Sequence, residues 1–281
     1  MIYIRELLKP TNDYVFKRLF GYVGNEEITK GLLSSIIEDV EINSVKLDCK
    51  EILEQDLSSD KFGILDIRAV LNNNIQCNIE MQIVDKKDIE NRLLFYWSKL
   101  YSKSINLGSN YIEAQRTIII LFADYCIKNL DSIKKYFTKW HICEDEYKNV
   151  VLTKNFEIYI IELPKYEQYA DSASINTWVK FLRYPEVIKM SEIENNEALK
   201  NAKKLLEEIS QNEYEQELAF KRDLYLMDKE AIKAAGYDKG IETGEKNEKI
   251  KIAKKLLKEN IDISVIMKVT ELTEEEINSL K

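Results

Sequence analysis

A chain of 281 residues with 45% hydrophobic and 32% charged side chains can bury a core and is too apolar to remain disordered. Its formal net charge of -8 argues against a protein that coats nucleic acid, although an enzyme acting on DNA needs only a local basic surface. No run of about 18 apolar residues occurs and the opening stretch lacks the apolar segment of a secretory leader, so a cytoplasmic protein with no membrane span is expected.

The four cysteines, Cys49, Cys77, Cys126 and Cys143, show no C-x-x-C spacing, which makes a zinc ribbon or a disulfide framework a poor fit. His141 is the only histidine, and no serine or cysteine constellation accompanies it.

Residues 12–38 have helical spacing, with Val15, Phe16, Leu19 and Phe20 in one part and Leu32, Leu33, Ile36 and Ile37 in another, broken near Gly21 to Gly24. A first strand is expected over "INSVKLDCK". The stretch "ILDIRAVLNNNIQCNIEMQIV", residues 64–84, then predicts two strands around three asparagines. In the second strand Ile75, Cys77, Ile79, Met81 and Ile83 alternate with Gln76, Asn78, Glu80 and Gln82. In the first, Leu65, Ile67, Ala69 and Leu71 are apolar, leaving Asp66 and Arg68 on the mixed face.

If the apolar sets share one side of a hairpin, odd positions must pair with odd, which a three-residue loop of Asn72, Asn73 and Asn74 allows and a regular two-residue loop does not. Asn also tolerates the left-handed backbone such loops need. The register then places Asp66 opposite Glu80, with Gln82 on the same face. Facing carboxylates about 5 Å apart repel unless a cation sits between them, and a divalent metal or the neighbouring Arg68 could supply that charge.

The next segment, "DIENRLLFYWSKLYSKSINLG", has helical spacing and a plausible glycine stop at Gly108. Arg92, Tyr96, Lys99 and Lys103 fall at i, i+4, i+7 and i+11 and form one stripe, with Leu93, Trp97, Leu100 and Ser104 expected on the buried side. Such a stripe suits DNA phosphates or is an ordinary solvated face. "RTIIILFA" and "FEIYIIEL" read as buried strands.

Beyond residue 163 everything reads helical, through "ASINTWVKFLRY", "NEALKNAKKLLEEIS" and "YEQELAFKRDLYLMDKEAIKAAG". Gly236, Gly240 and Gly244 recur every four residues, consistent with a helix used in self-association or with a linker. Residues 246–258 hold six lysines against Glu248 alone, and Thr273 with Glu276 makes a capping box, so the end is either a DNA-binding helix-turn-helix or a small oligomerisation hairpin.

The order helix, three strands, helix, strand, with Asp66 on the second strand and E-x-Q at Glu80 and Gln82 on the third, resembles the PD-(D/E)XK nuclease superfamily. Within it, "NDYVFKRLF", "ILDIRAV", "NIEMQI", "RLLFYWSKLYSKSI" and the glycine-spaced tail resemble the recombination-promoting nuclease and transposase family. The resemblance implies an α/β, restriction-endonuclease-like core over residues 1–165, a helical region over 166–235 and a helical tail over 236–281. It further implies a bacterial DNA endonuclease, dependent on Mg2+ or Mn2+, linked to recombination or mobile DNA and nucleoid-associated when bound. Asp66 and Glu80 would be its metal ligands. Gln82 replaces the superfamily lysine, and Asp13 is a further acidic candidate whose alternative is first-turn stabilisation of its helix. The rival function is a binding protein on a degenerate nuclease fold.

Overall fold

A computed structural model of the chain describes residues 6–48, 66–85, 87–105, 108 and 110–280. The chain divides into two compact units, Met1–Asp223 and Leu224–Lys281.

In the first unit, α1 (Asp13–Phe20) and α2 (Glu26–Ser34) separate where the sequence break falls, and Asn12 caps α1 by accepting from the Tyr14 and Val15 amides. The strands are β1 (Val45–Asp48), β2 (Ile67–Leu71), β3 (Ile75–Gln82), β4 (Arg116–Ala123), β5 (Phe137–Trp140) and β6 (Phe156–Glu162). They form one sheet in the order β1-β2-β3-β4-β6-β5. The central strands β3, β4 and β6 run parallel, and the flanking pairs are antiparallel. The crossover from β3 to the parallel β4 carries α3 (Ile89–Lys103).

The strand β5 has no counterpart in the sequence reading. Its four residues pair only with β6, and "FTKW" is too short to show alternation. The expected residues Ile64 and Leu65 of the second strand, and Cys49 and Lys50 of the first, lie outside the described residues.

The hairpin register is Ile67↔Ile79, Ala69↔Cys77 and Leu71↔Ile75, with Asn72, Asn73 and Asn74 as the loop. Asn72 and Asn73 have φ of 49° and 63°, the left-handed region that asparagine tolerates better than most residues. Asn72 also receives the Asn43 and Ser44 amides on Oδ1 and donates from Nδ2 to the Glu41 carbonyl, tying the loop to the chain before β1.

Two apolar layers cover the sheet. On one side Ile67, Ala69, Leu71, Cys77, Ile79 and Met81 pack with Val15, Phe16 and Leu19 of α1, and with the helices that follow β6. Those helices are α4 (Tyr166–Tyr169), α5 (Asn176–Arg183) and α6 (Glu197–Gln211). A Cβ added at Gly31 would come within 2.2 Å of the Ala198 Cβ, so glycine permits the close approach of α2 to α6. On the other side Ile89, Leu93 and Tyr96 of α3 pack on Ile119, Leu121, Ile158 and Ile160.

Helix α7 (Glu213–Lys258) runs unbroken through Gly236, Gly240 and Gly244, so a helix, not a linker, occupies that stretch. In the second unit it is followed by α8 (Ile263–Thr270) and α9 (Glu274–Asn278), and Ala253, Ile266, Leu272 and Ile277 form a small core. The Thr273 and Glu276 capping box is present in full.

Because the asparagine loop sets which face of β2 meets which face of β3, its bonds hold the hairpin in register. Asn72→Ala should destabilise the chain by about 1–2 kcal/mol in urea titrations, losing three hydrogen bonds and straining a positive φ. Asn73→Gly, which only relaxes the backbone, should change stability by less than about 1 kcal/mol.

Candidate nuclease site

The pairing Ile67↔Ile79, carried one step back along β2, brings Asp66 to the position facing Glu80. Alternation along β3 puts Gln76, Asn78, Glu80 and Gln82 on the side that α3 covers. That cover makes Glu80 only 1% exposed and Asn78 5% exposed, where alternation alone would suggest a half-solvated face.

A buried carboxylate needs compensation, and Arg92 supplies it from the first turns of α3. Arg92 Nη2 donates to Glu80 Oε1 at 3.1 Å and to the Tyr96 hydroxyl at 2.6 Å. The guanidinium also lies over the Tyr96 ring, 5.1 Å from its centroid. The Gln82 amide donates to the same Glu80 oxygen. Burial pulls the Arg92 pKa down, but the neighbouring carboxylate charges of Glu80 and Asp66 and the bond to Glu80 help outweigh it, so the group is held more firmly protonated than usual. Burial first, then Glu80 and Asp66, push the Tyr96 phenol well above its usual range, which keeps it a neutral donor and acceptor. Both carboxylates thus act on one cation.

Beside this cluster lies a cleft of about 30 Å³, lined by Asp66, Arg68, Asn78, Tyr96, Lys99, Leu100 and Lys103. It has room for about one water. Asn78 Nδ2 is buried there without a hydrogen-bond partner.

The stripe read from α3 therefore divides. Arg92 and Tyr96 turn inward, Tyr96 being 7% exposed, while Lys99 and Lys103 remain exposed at the mouth of the cleft. Helical spacing correctly groups the four residues but misplaces the edge of the buried face by a fraction of a turn. It adds Tyr96 to Leu93 and leaves Trp97 and Leu100 only partly covered. Strand parity places Asn78 and Arg68 on the face of Glu80 without giving Asn78 a role: Asn78 is two residues before Glu80, and Arg68 is the cross-strand partner of Asn78.

Asp13 meets a different group. Arg222 Nε donates to its Oδ1 at 2.9 Å and Arg222 Nη2 to its Oδ2 at 2.7 Å, in a buried, two-pronged pair. The same two helices are joined by Tyr14 and Arg18, which both donate to Glu215, and by Asn12, which donates to Asp223. His141 is exposed, outside both apolar layers.

Hard oxygen donors are what the cluster can offer a cation: the Asp66 and Glu80 carboxylates, backbone carbonyls of β3 and the Gln82 amide oxygen. Among the described residues no group of three or more His, Cys, Asp or Glu side chains could hold a metal ion. Two carboxylates fit Mg2+, which commonly takes one or two from the protein and fills its remaining positions with water and substrate phosphate.

A mixed sheet that carries E-x-Q on a strand of its parallel centre and a carboxylate at the start of the antiparallel strand beside it, with a helix crossing over them, is the architecture of a PD-(D/E)XK nuclease core. The model of the PD-(D/E)XK nuclease family transposases matches residues 10–236, and the chain belongs to that family. Residues 246–281 match the C-terminal HTH domain of the Rpn/YhgA-like nuclease family. No curated protein and no solved structure matches the chain. No described helix is long and apolar enough to cross a membrane.

The Arg92–Glu80 contact can be measured by a double-mutant cycle. Arg92→Ala strands a buried carboxylate and should cost about 2–3 kcal/mol in urea titrations, whereas adding Glu80→Gln should recover most of that loss. Additive losses would remove Arg92 as the partner that makes Glu80 tolerable.

Proposed function

We propose that the chain is a metal-dependent DNA endonuclease that hydrolyses phosphodiester bonds in recombination or in the movement of mobile DNA. The observation that carries this is the β2–β3 register, which sets Asp66 against Glu80 beneath a basic helix in a chain of this family. Asp66 and Glu80 would hold the cation, Mg2+ or Mn2+. When bound, such a cation supplies an activated water and neutralises charge on the scissile phosphate.

The remaining work belongs to the chain's own groups. With its amide nitrogen donating to Glu80, Gln82 can orient the attacking water through its amide oxygen. Its amide carries no charge, unlike the lysine of the superfamily pattern, and Arg92, which meets Glu80 at 3.1 Å, could stabilise the phosphorane-like charge instead. Asn78 Nδ2, a buried donor lining the cleft, suits a phosphate oxygen, and Lys99 with Lys103 suits the flanking backbone. Asp13, paired with Arg222, supports the site by fixing α1.

Plasmid DNA incubated with the purified protein should be cut with Mg2+ and not with EDTA. Asp66→Asn and Glu80→Gln should each lower the rate by orders of magnitude, and Gln82→Ala by less. Equal cutting by the parent and Asp66→Asn proteins would return the chain to the alternative, a DNA-binding module on a degenerate nuclease fold.

Self-association through the tail is a second proposal. Leu224 and Met227 are exposed on α7 and continue through Ala231 and Ala234 at the alternating three- and four-residue steps of a coiled-coil seam, with Asp238 at the next step and exposed Ile241 after it. Leu224→Glu with Met227→Glu should reduce the molar mass measured by light scattering if two copies pair along this seam. An unchanged mass would show that this seam does not hold copies together.

A further inference from the structure

The six lysines of residues 246–258 do not form one population. Lys246 reaches Glu276 at 3.3 Å and Lys249 reaches Glu271 at 2.6 Å, so these two bind α7 to the turn and helix that follow it. Lys251, Lys254, Lys255 and Lys258 stand at i, i+3, i+4 and i+7 and are all exposed. The side of α7 beneath them is apolar: Ile250, Ala253, Leu256 and Leu257 enter the small core with Ile266, Leu272 and Ile277. The four lysines therefore project away from that core in a row roughly 10 Å long, at the helical rise of 1.5 Å per residue.

In a helix-turn-helix that reads sequence, the second helix enters the major groove and its first residues touch base edges. Here that helix is α9, and its first three residues are Glu274, Glu275 and Glu276. Carboxylates there repel phosphate, and among base edges they can accept only from amino groups. They are already used locally: Glu276 receives the Thr273 amide at 3.0 Å, and acidic groups stabilise the start of a helix.

We propose that the C-terminal unit grips the phosphate backbone of duplex DNA through Lys251, Lys254, Lys255 and Lys258 of α7, without reading sequence, while α9 stays out of the groove as a structural brace. The acidic groups nearest this row are Glu248, which meets Lys251 at 3.3 Å on the open surface, and Glu259, so the row keeps a net positive charge. Four exposed lysines within two helical turns complement one phosphate strand. The proposal rests on DNA being the substrate and assigns the tail a holding role distinct from the cutting site.

The test is fluorescence anisotropy of the full chain on duplex DNA in EDTA, as a function of KCl. Lys254→Gln with Lys255→Gln should weaken binding to all sequences and lower the magnitude of the log K against log salt slope by about 2, because each lost phosphate contact removes about 0.9. The pair Lys251→Gln and Lys258→Gln should do the same, and circular dichroism should show both variants folded. Glu274→Gln with Glu275→Gln should leave base preference unchanged. If the parent chain binds duplex DNA but neither lysine pair alters the slope, the row is an ordinary solvated face and the proposal fails while the nuclease reading stands. A changed base preference in the glutamate variant would place α9 in the groove and overturn the proposal. Preferential binding of the row to polyglutamate over DNA would transfer it to an acidic protein partner. A parent chain that neither binds duplex DNA nor cuts it with Mg2+ would defeat both readings.

Discussion

A carboxylate set on a central strand and roofed by a helix must find a cation or give up its charge, and the larger unit is organised around satisfying Glu80. Everything needed for this converges from short chain segments. The alternation of β3 sends Glu80 and Gln82 to one side, the asparagine loop returns Asp66 to the same side, and the first turns of α3 deliver Arg92. The apolar residues of α3 then seat the helix over Glu80 by packing on β4 and β6. The low-dielectric setting that makes the ion pair costly to break also strengthens any field the cluster exerts on a bound phosphate.

The parts of this arrangement that depend on parity or periodicity are legible in the amino-acid sequence. Three asparagines between two alternating runs suffice to set the hairpin register, and "RTIIILFA" coincides with β4. What is not legible depends on which surface another element covers. The spacing of Arg92, Tyr96, Lys99 and Lys103 shows that they share a side of α3, yet it cannot show that the sheet bears on Tyr96 and leaves Lys99 and Lys103 in solvent. The Asp13–Arg222 pair is equally hidden, because 209 residues separate its members and nothing local marks either as the other's partner.

The two units use charge in opposite ways. Around Glu80 charges are few, matched by direction and drawn in from the surface, Glu80 fully and Arg92 in part, as expected where geometry must be held to a fraction of an ångström. In the C-terminal unit the lysines and glutamates lie at the surface, where individual pairs contribute little to stability and salt screens them. Conditions that leave the buried cluster intact should therefore still loosen contacts made by the tail.

The clamp between α1 and the start of α7 bears on the order in which the protein can be completed during synthesis. Asp13, Tyr14 and Arg18 emerge early, but their partners Glu215 and Arg222 follow about two hundred residues later. At ribosomal speeds of about 5–20 residues per second, α1 waits on the order of 10–40 s for its clamp. A chain arrested before Arg222 carries every strand of the sheet and both carboxylates of the site, yet leaves the first helix without the residue that fixes its buried charge.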